Sequence, residues 1–387
     1  MPVINVQIIQ PLVPEYRVAF FNKLAQDPRC CINVFASRTM PGSQSLRSFP
    51  NSASFVHLDH PCCDVLWHQF HWQQGLSLQK SLRRGDVLVV CGNPRFLSNL
   101  PLVFEARRKG IATVWWGIGT MPNQDRLRGF LRRGLMKQMD VILLYTDRER
   151  EQFLHLGFAP DRLFAINNAI DQEPIQEAIA DWPAIRLSSF ASEHGLDGKK
   201  LFLFCGRLTS KARVDLALEA LHELRTRDSR YELAIIGEGE ERERLAILVE
   251  RLELGSAVRW LGAIYDQRAM APWFLTAKAF VYPGYIGLSI VHAMGYGLPV
   301  VTHDNMANQA PEVAALKNAQ NGLLYTEGDV TRLAAQMARL ASSDAMRTAM
   351  SQEAKRTVTE EFTLTGMVER FVSAIHAAAV RVQSHSM

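Results

Sequence analysis

The stretch Val281-Tyr-Pro-Gly284-Tyr-Ile-Gly287-Leu288-Ser289-Ile-Val-His292-Ala-Met-Gly-Tyr-Gly297-Leu-Pro-Val-Val-Thr302-His-Asp304-Asn305-Met-Ala-Asn-Gln-Ala-Pro311-Glu312-Val313 decides how this chain is read. An apolar run ends at Tyr282, a loop with two glycines follows, and a helix is expected from near Gly287 to Gly297. A second apolar run, Pro299–Thr302, comes next, so the pattern is strand, loop, helix, strand. Glycines 284 and 287 let a ligand approach the backbone closely, and the amides of Gly287, Leu288 and Ser289 stand at a helix N-terminus. Such an end favours an anion, most simply a diphosphate. Glycine in a strand-to-helix turn also serves plain steric needs, and this spacing alone fits both readings.

Working outward, the same alternation fills the chain. Strands are expected at Ile4–Ile9, Ile32–Ala36, Val87–Cys91, Ala112–Trp116 and Val141–Tyr145, with helices at Tyr16–Ala25, Ser98–Lys109 and Leu127–Met139. Most of these runs are continuously rather than alternately apolar, as strands of a parallel sheet covered on both faces should be. A composition shift near Asp171–Lys200 precedes a second series: Leu201–Cys205, Leu233–Ile236, Val258–Leu261, Ala279–Tyr282 and Pro299–Thr302. The fold class is therefore α/β, with two Rossmann-like domains whose parallel sheets face a central cleft. The expected bounds are 1–178 for the first domain, 179–199 for a linker and 200–362 for the second domain. Residues 363–387 should form a helix returning to the first domain.

Composition bounds the function. Of 387 residues, 48% are apolar and 21% charged, ample for full cores and unlike a disordered or coiled-coil chain. Lys and Arg outnumber Asp and Glu by 43 to 39, a balance of +4 that is too mild for nucleic acid to be the expected partner. No apolar run approaches the roughly 18 residues of a membrane span, and no signal peptide is visible. Cys30, Cys31, Cys62, Cys63, Cys91 and Cys205 form no C-x-x-C pair, so reduced thiols and a cytoplasmic setting are expected.

Three further features bear on chemistry. No Asp lies two residues from another, which argues against a metal-bridged diphosphate. His57-Leu-Asp59-His60 and His68-Gln-Phe-His71 invite a zinc reading, but their surroundings read as a loop and an aromatic helix, and no metal is expected. Between Asp125 and Lys137 five basic residues, Arg126, Arg128, Arg132, Arg133 and Lys137, flank Leu127, Phe130, Leu131 and Leu135 at helical spacing. The expected arrangement packs those apolar residues on the sheet and leaves a basic rim, solvated or touching an anionic membrane.

Read together, these blocks resemble the family 4 glycosyltransferases of bacterial polysaccharide biosynthesis, which have the two-Rossmann-domain GT-B fold. The resemblance rests on the segment quoted above, on Ile166-Asn-Asn168-Ala-Ile-Asp171, and on Phe204-Cys-Gly206-Arg207-Leu208 with Lys211. Ile236-Gly237-Glu238-Gly239-Glu240, Trp260-Leu-Gly262 and Asn321-Gly322 add to it. In the first half, Val13-Pro14-Glu15-Tyr16-Arg17 and Trp115-Trp116-Gly117-Ile118-Gly119 resemble some polysaccharide-building members.

The resemblance implies a retaining transfer from a nucleotide sugar to a saccharide or lipid-linked saccharide, with the nucleotide sugar as substrate and no cofactor. Arg207 and Lys211 would meet the leaving diphosphate, and Gly287, Leu288 and Ser289 would hold it. His292 would contact ribose and the backbone at Ile264 the base. Asp304, Asn305 and Glu312 would bind the donor sugar, although Asp and Asn here also fit turn chemistry. Glu15, Tyr16, Arg17 and Trp116 would line the acceptor side. Four positions depart from the family pattern. Gly284 and His292 stand where two glutamates are usual, Ala212 stands where a lysine is usual, and Ile118 stands where histidine is often found. These changes leave open a catalytically weak nucleotide-sugar-binding subunit, and, further off, a nucleotide-sugar epimerase.

Overall fold

The computed structural model describes residues 3–41, 43–48, 53–119 and 126–384. It divides into two units, one of Met1–Ile170 with Leu364–Met387 and one of Asp171–Thr363. The stretch 179–199 is thus not a free linker. It carries the helix Ala184–Glu193 of the second unit, where Phe190 packs edge-on against Trp182 and Trp273 with centroids 5.5 and 5.0 Å away.

The first unit holds a seven-stranded sheet in the order Leu163–Ala165, Val141–Leu144, Ala112–Trp116, Val87–Cys91, Ile4–Ile9, Cys30–Phe35, Val56–His57. All of these neighbours pair in parallel. Helices on both faces explain why strands such as Val141–Leu144 are apolar at every position. Trp115 and Trp116 point to opposite faces. Trp115 joins Leu102, Val103, Met136 and Met139 of the helices Asn99–Arg108 and Arg126–Lys137 and the turn that follows. Trp116 packs instead on Phe20 and Phe371, 5.6 and 5.2 Å between centroids. Phe371 belongs to the helix Leu364–Ser384, so the last helix does return to the first sheet, where Arg370 also pairs with Asp147 at 2.8 Å.

Two sequence expectations fail in this unit. Residues 62–73 are a β-hairpin, Cys62–Val65 against Phe70–Gln73, rather than an aromatic helix. Alternation of Cys63, Val65, Phe70 and Trp72 with polar partners has period 2, and the short range of that pattern hid it. The helix Arg126–Lys137 is turned from expectation, although Leu135 packs against the core as expected. Gly129, Arg132 and Met136 are buried, while Phe130 and Leu131 are 67% and 56% exposed. Asp125, and the side chains of Arg126, Leu127 and Arg128, lie outside the described residues.

The second unit has a six-stranded parallel sheet in the order Val258–Gly262, Tyr231–Ile236, Lys200–Cys205, Ala279–Val281, Val300–His303, Gly322–Tyr325. Its order reverses between the first strand, Lys200–Cys205, and the fourth, Ala279–Val281. In such sheets ligands lie beyond the carboxyl ends at that reversal.

Candidate functional site

Two loops leave the reversal point of the second sheet, and both carry residues singled out from sequence. The first runs from Gly206 through Arg207 to the short 3-10 turn Ser210–Ala212. The second runs from Tyr282 to Leu288 and opens the helix Ser289–Gly295, which is shorter than the Gly287–Gly297 expected. Glycines bring the loops together. A Cβ on Gly284 would sit 2.0 Å from the Lys211 carbonyl oxygen, and one on Gly237 would sit 1.9 Å from that of Gly206. At 237 the backbone also has φ of 143°, open to glycine alone. The amides of Gly284 and Tyr285 donate to the carbonyls of Ala212 and Lys211 at 3.1 and 2.9 Å.

This clasp sets the side chains. Ala212 is buried beneath the loop, whereas Arg207 and Lys211 are exposed at the carboxyl edge. Lys211 Nζ stands 5.8 Å from the Tyr285 ring centroid. Arg213 is left-handed at φ 51° and pairs with Asp215 at 3.2 Å, which turns it away from the role of a second cation. Among the described residues no protein acceptor takes the amides of Gly287, Leu288 and Ser289. Nothing lies within 4 Å of a Cβ built on Gly287, so the backbone there faces open space.

Residues that sequence reading missed hold this loop. Buried Gln309 accepts from the Ile286 amide at 3.0 Å and donates to Thr302 Oγ1 at 2.8 Å. The Tyr325 hydroxyl donates to the Pro283 carbonyl at 2.8 Å, and Tyr282 stacks on Phe204 at 4.8 Å. Burial pushes the Tyr282 phenol up to about 12, so it stays neutral. Nothing in the local sequence distinguishes Gln309 from a surface glutamine, because only the fold brings it under the loop.

His292 is engaged by the protein. Its Nε2 lies 2.9 Å from Gln267 Oε1, and its ring meets Phe274 and Tyr296 edge-on at 4.9 and 5.5 Å. Burial pushes its imidazole down to about 4. Any contact with a ribose therefore falls to Nδ1. Ile264 sits in the loop after Val258–Gly262, partly exposed at the same edge of the sheet.

Asp304 and Asn305 act in turn formation. Asp304 Oδ1 accepts from the Glu327 amide at 3.2 Å, and Asn305 Oδ1 accepts from Ala307 at 3.2 Å. Asn305 and Asn308 both donate to the Glu327 carboxylate, at 2.6 and 2.9 Å. Those bonds hold Glu327 below the usual carboxylate range although burial opposes them. Glu312 is buried in the turn Pro311–Ala315.

On the first unit the acceptor-side residues separate. Glu15 and Tyr16 are exposed in the first turn of the helix Glu15–Ala25, but Arg17 is buried. Its guanidinium lies over the rings of Trp116, Tyr16 and Tyr145 at 5.1, 5.4 and 5.7 Å. Trp116 is itself buried against Phe20 and Phe371, so neither Arg17 nor Trp116 lines an open surface. The basic helix needs the same correction at one position. Arg132 is buried, donating to the carbonyls of Ile118 and Gly92 at 2.9 and 3.3 Å, because two loop ends there need donors. Arg133 is partly exposed and Lys137 exposed.

Asp64 accepts from His68 and His71, and among the described residues no three His, Cys, Asp or Glu side chains are arranged to hold a metal ion. The six cysteines are free, burial pushing the thiols of Cys30, Cys91 and Cys205 up to about 12.

Residues 188–357 match the family model described as glycosyl transferases group 1. An exopolysaccharide phosphotransferase of Streptomyces coelicolor is 26% identical over 221 residues, 56% of this chain and 21% of the relative. The poly(ribitol-phosphate) alpha-N-acetylglucosaminyltransferase of Staphylococcus aureus is 21% identical over 196 residues, 49% of this chain and 39% of the relative. The matched stretch thus spans well under half of either relative. Among solved structures, Anabaena HepE in complex with UDP has a TM-score of 0.67 at 13% identity, covering 96% of this chain and 99% of HepE. No described helix is long and apolar enough to cross a membrane.

Proposed function

We propose that this chain, whose residues 188–357 carry the group 1 glycosyl transferase match, is a retaining glycosyltransferase of cell-surface polysaccharide synthesis. Its donor is a nucleotide sugar, and its acceptor a saccharide or lipid-linked saccharide. The observation that carries this reading is the open end of the second sheet, where Arg207, Lys211 and the amides of Gly287–Ser289 share one edge. When the bond between the sugar's C1 and the diphosphate breaks, negative charge grows on the phosphate oxygens. A guanidinium and an ammonium placed there stabilise that charge more in the transition state than in the ground state. The two cations and the amides supply what a divalent metal would otherwise supply, so turnover should persist in chelator. The relative solved with UDP makes UDP the first nucleotide to try.

The experiment is thermal unfolding against UDP, GDP and ADP and the corresponding nucleotide sugars. A ligand at 100 times its dissociation constant contributes about 2.7 kcal/mol, readily seen as a higher midpoint. Stabilisation by none of them removes the donor site.

A peripheral contact with anionic membrane belongs to the same reading, on changed residues. Phe130 and Leu131 face outward beside Arg133 and Lys137, and Phe104 of the helix Asn99–Arg108 is exposed as well. Both helices pack on one face of the first sheet. Apolar side chains with a basic rim suit the headgroup boundary.

A further inference from the structure

The hairpin Cys62–Gln73 belongs to the first unit and is fastened to the order reversal of the first sheet. That reversal falls between Ile4–Ile9 and Val87–Cys91. Buried Gln73 donates Nε2 to the Gln10 carbonyl at 3.0 Å, in the loop leaving Ile4–Ile9. The His71 amide donates to Arg95 at 2.8 Å and its carbonyl accepts from Leu97 at 3.1 Å, in the loop leaving Val87–Cys91. The hairpin therefore overlooks the crevice where a doubly wound sheet takes a ligand.

Its tip is strained and pinned. Leu66, Trp67 and His68 follow one another at φ 51°, 55° and 64°, a left-handed run that bulky side chains rarely enter. Arg95 Nε and Nη2 hold the carbonyls of Gln69 and His68 at 2.6 and 3.0 Å. Asp64 holds His68 and His71 at 2.7 and 2.9 Å. The outcome is an indole held in solvent. Trp67 is 88% exposed, beside Leu66 at 56%, and Trp72 on the outer face is 39% exposed.

We propose that this tip is a stacking platform for one sugar ring of the acceptor saccharide. The Trp67 indole would take the C–H face of the ring, and the imidazole of His68 and the Gln69 amide its hydroxyl rim. The acceptor's identity as a saccharide rests on the glycosyl-transfer reading above. Charge selects this occupant over a lipid or nucleic-acid surface. Residues 48–79 contain no Lys or Arg but contain Asp59 and Asp64, and Arg95 at the tip has its Nε and Nη2 engaged by the carbonyls of Gln69 and His68, whereas phosphate-bearing surfaces require available cations. A neutral polyhydroxylated ring requires none. A rigid indole with two side-chain torsions also loses little entropy on binding.

The test uses the full chain with maltopentaose, cellopentaose and chitopentaose as neutral probes. Protection of Trp67 from oxidation is mapped by peptide mass spectrometry, and affinity is measured by calorimetry. At least one probe is expected to protect Trp67, and Trp67→Ala to weaken that probe about tenfold or more. Trp67→Phe should stay within about threefold, since a flat ring remains. UDP binding, measured alongside, should be the same in all three proteins. Saccharide binding with no binding of UDP, GDP or ADP sinks the donor-site reading and leaves the platform standing. UDP binding with no protection by any probe, or with saccharide affinity indifferent to Trp67→Ala, overturns the platform. So does a Trp67→Ala protein that keeps saccharide affinity but loses binding to vesicles of anionic phospholipid.

Discussion

The amide of Gly284 donates to the carbonyl of Ala212 at 3.1 Å, and a Cβ on Gly284 would lie 2.8 Å from the Ala212 carbonyl carbon. These are two of the positions at which the resemblance in sequence led to the expectation of a glutamate and a lysine. They are one packing event. Buried Ala212 lets the 3-10 turn Ser210–Ala212 press on the loop, and only glycine at 284 leaves room for it. Lys211 is thereby carried to the exposed side of the turn, near Tyr285.

Restoring the glutamate at 284 should therefore fail. Gly284→Glu and Gly284→Ala are both expected to destabilise the second unit by about 2 kcal/mol or more, because backbone atoms rather than a flexible side chain occupy the space. Urea unfolding at pH 7.5 measures it. A Gly284→Ala midpoint equal to the parent's would mean that the clasp opens freely.

Arg207→Ala is expected to lower turnover about 100-fold, the equivalent of about 2.7 kcal/mol of transition-state stabilisation. Its exposure at the carboxyl edge means that the unfolding midpoint should hardly move. Steady-state rates with the nucleotide sugar found by thermal unfolding decide the matter. Turnover within threefold of the parent takes Arg207 out of the site.

His292 predicts an acid limit. Its imidazole is held at about 4 in the folded chain against 6.5 when unfolded, by burial. The unfolded state binds the proton first, so this contribution is complete above pH 6.5 and is lost as pH falls toward 4. At pH 5 the loss is about 2 kcal/mol relative to pH 7.5. His303, lowered by burial in the same unit, acts in the same direction. His292→Gln should flatten the fall in unfolding free energy between those two pH values. An unchanged slope would show that the ring is protonated without cost.

The turned helix separates two kinds of arginine. Changing Phe130 and Leu131 to serine, with Lys137 to glutamine, should abolish salt-sensitive co-sedimentation with anionic vesicles and leave the unfolding midpoint alone. Arg132→Gln should do the reverse, costing about 1–3 kcal/mol by leaving the Ile118 and Gly92 carbonyls short of a donor. Vesicle binding lost in Arg132→Gln but kept in the triple variant would restore the basic-rim arrangement.

By itself the sequence determined the α/β class, the two series of parallel strands and the segments that meet at the carboxyl edge of the second sheet. The reason is physical. Strands buried on both faces are predominantly apolar along their length, and glycine in strand-to-helix loops marks close backbone approach. Arg207 could be placed because it closely follows the strand Lys200–Cys205, and Gly287 because it lies just ahead of the helix Ser289–Gly295. What sequence left undecided was which way a side chain faces once its element is packed. Helical period spaces Phe130, Leu131 and Arg132 but does not say which stripe turns inward, and in the fold it is the arginine that turns in to meet the carbonyls of Ile118 and Gly92. Trp116 read as a surface aromatic until the returning helix Leu364–Ser384, more than two hundred residues along the chain, covered it with Phe371. Gln309 under the loop, and Gln73 and Arg95 under the Trp67 hairpin, bond to residues distant in sequence. Only tertiary structure brings such partners together, because hydrogen bonds across folded loops leave no periodic trace in the chain.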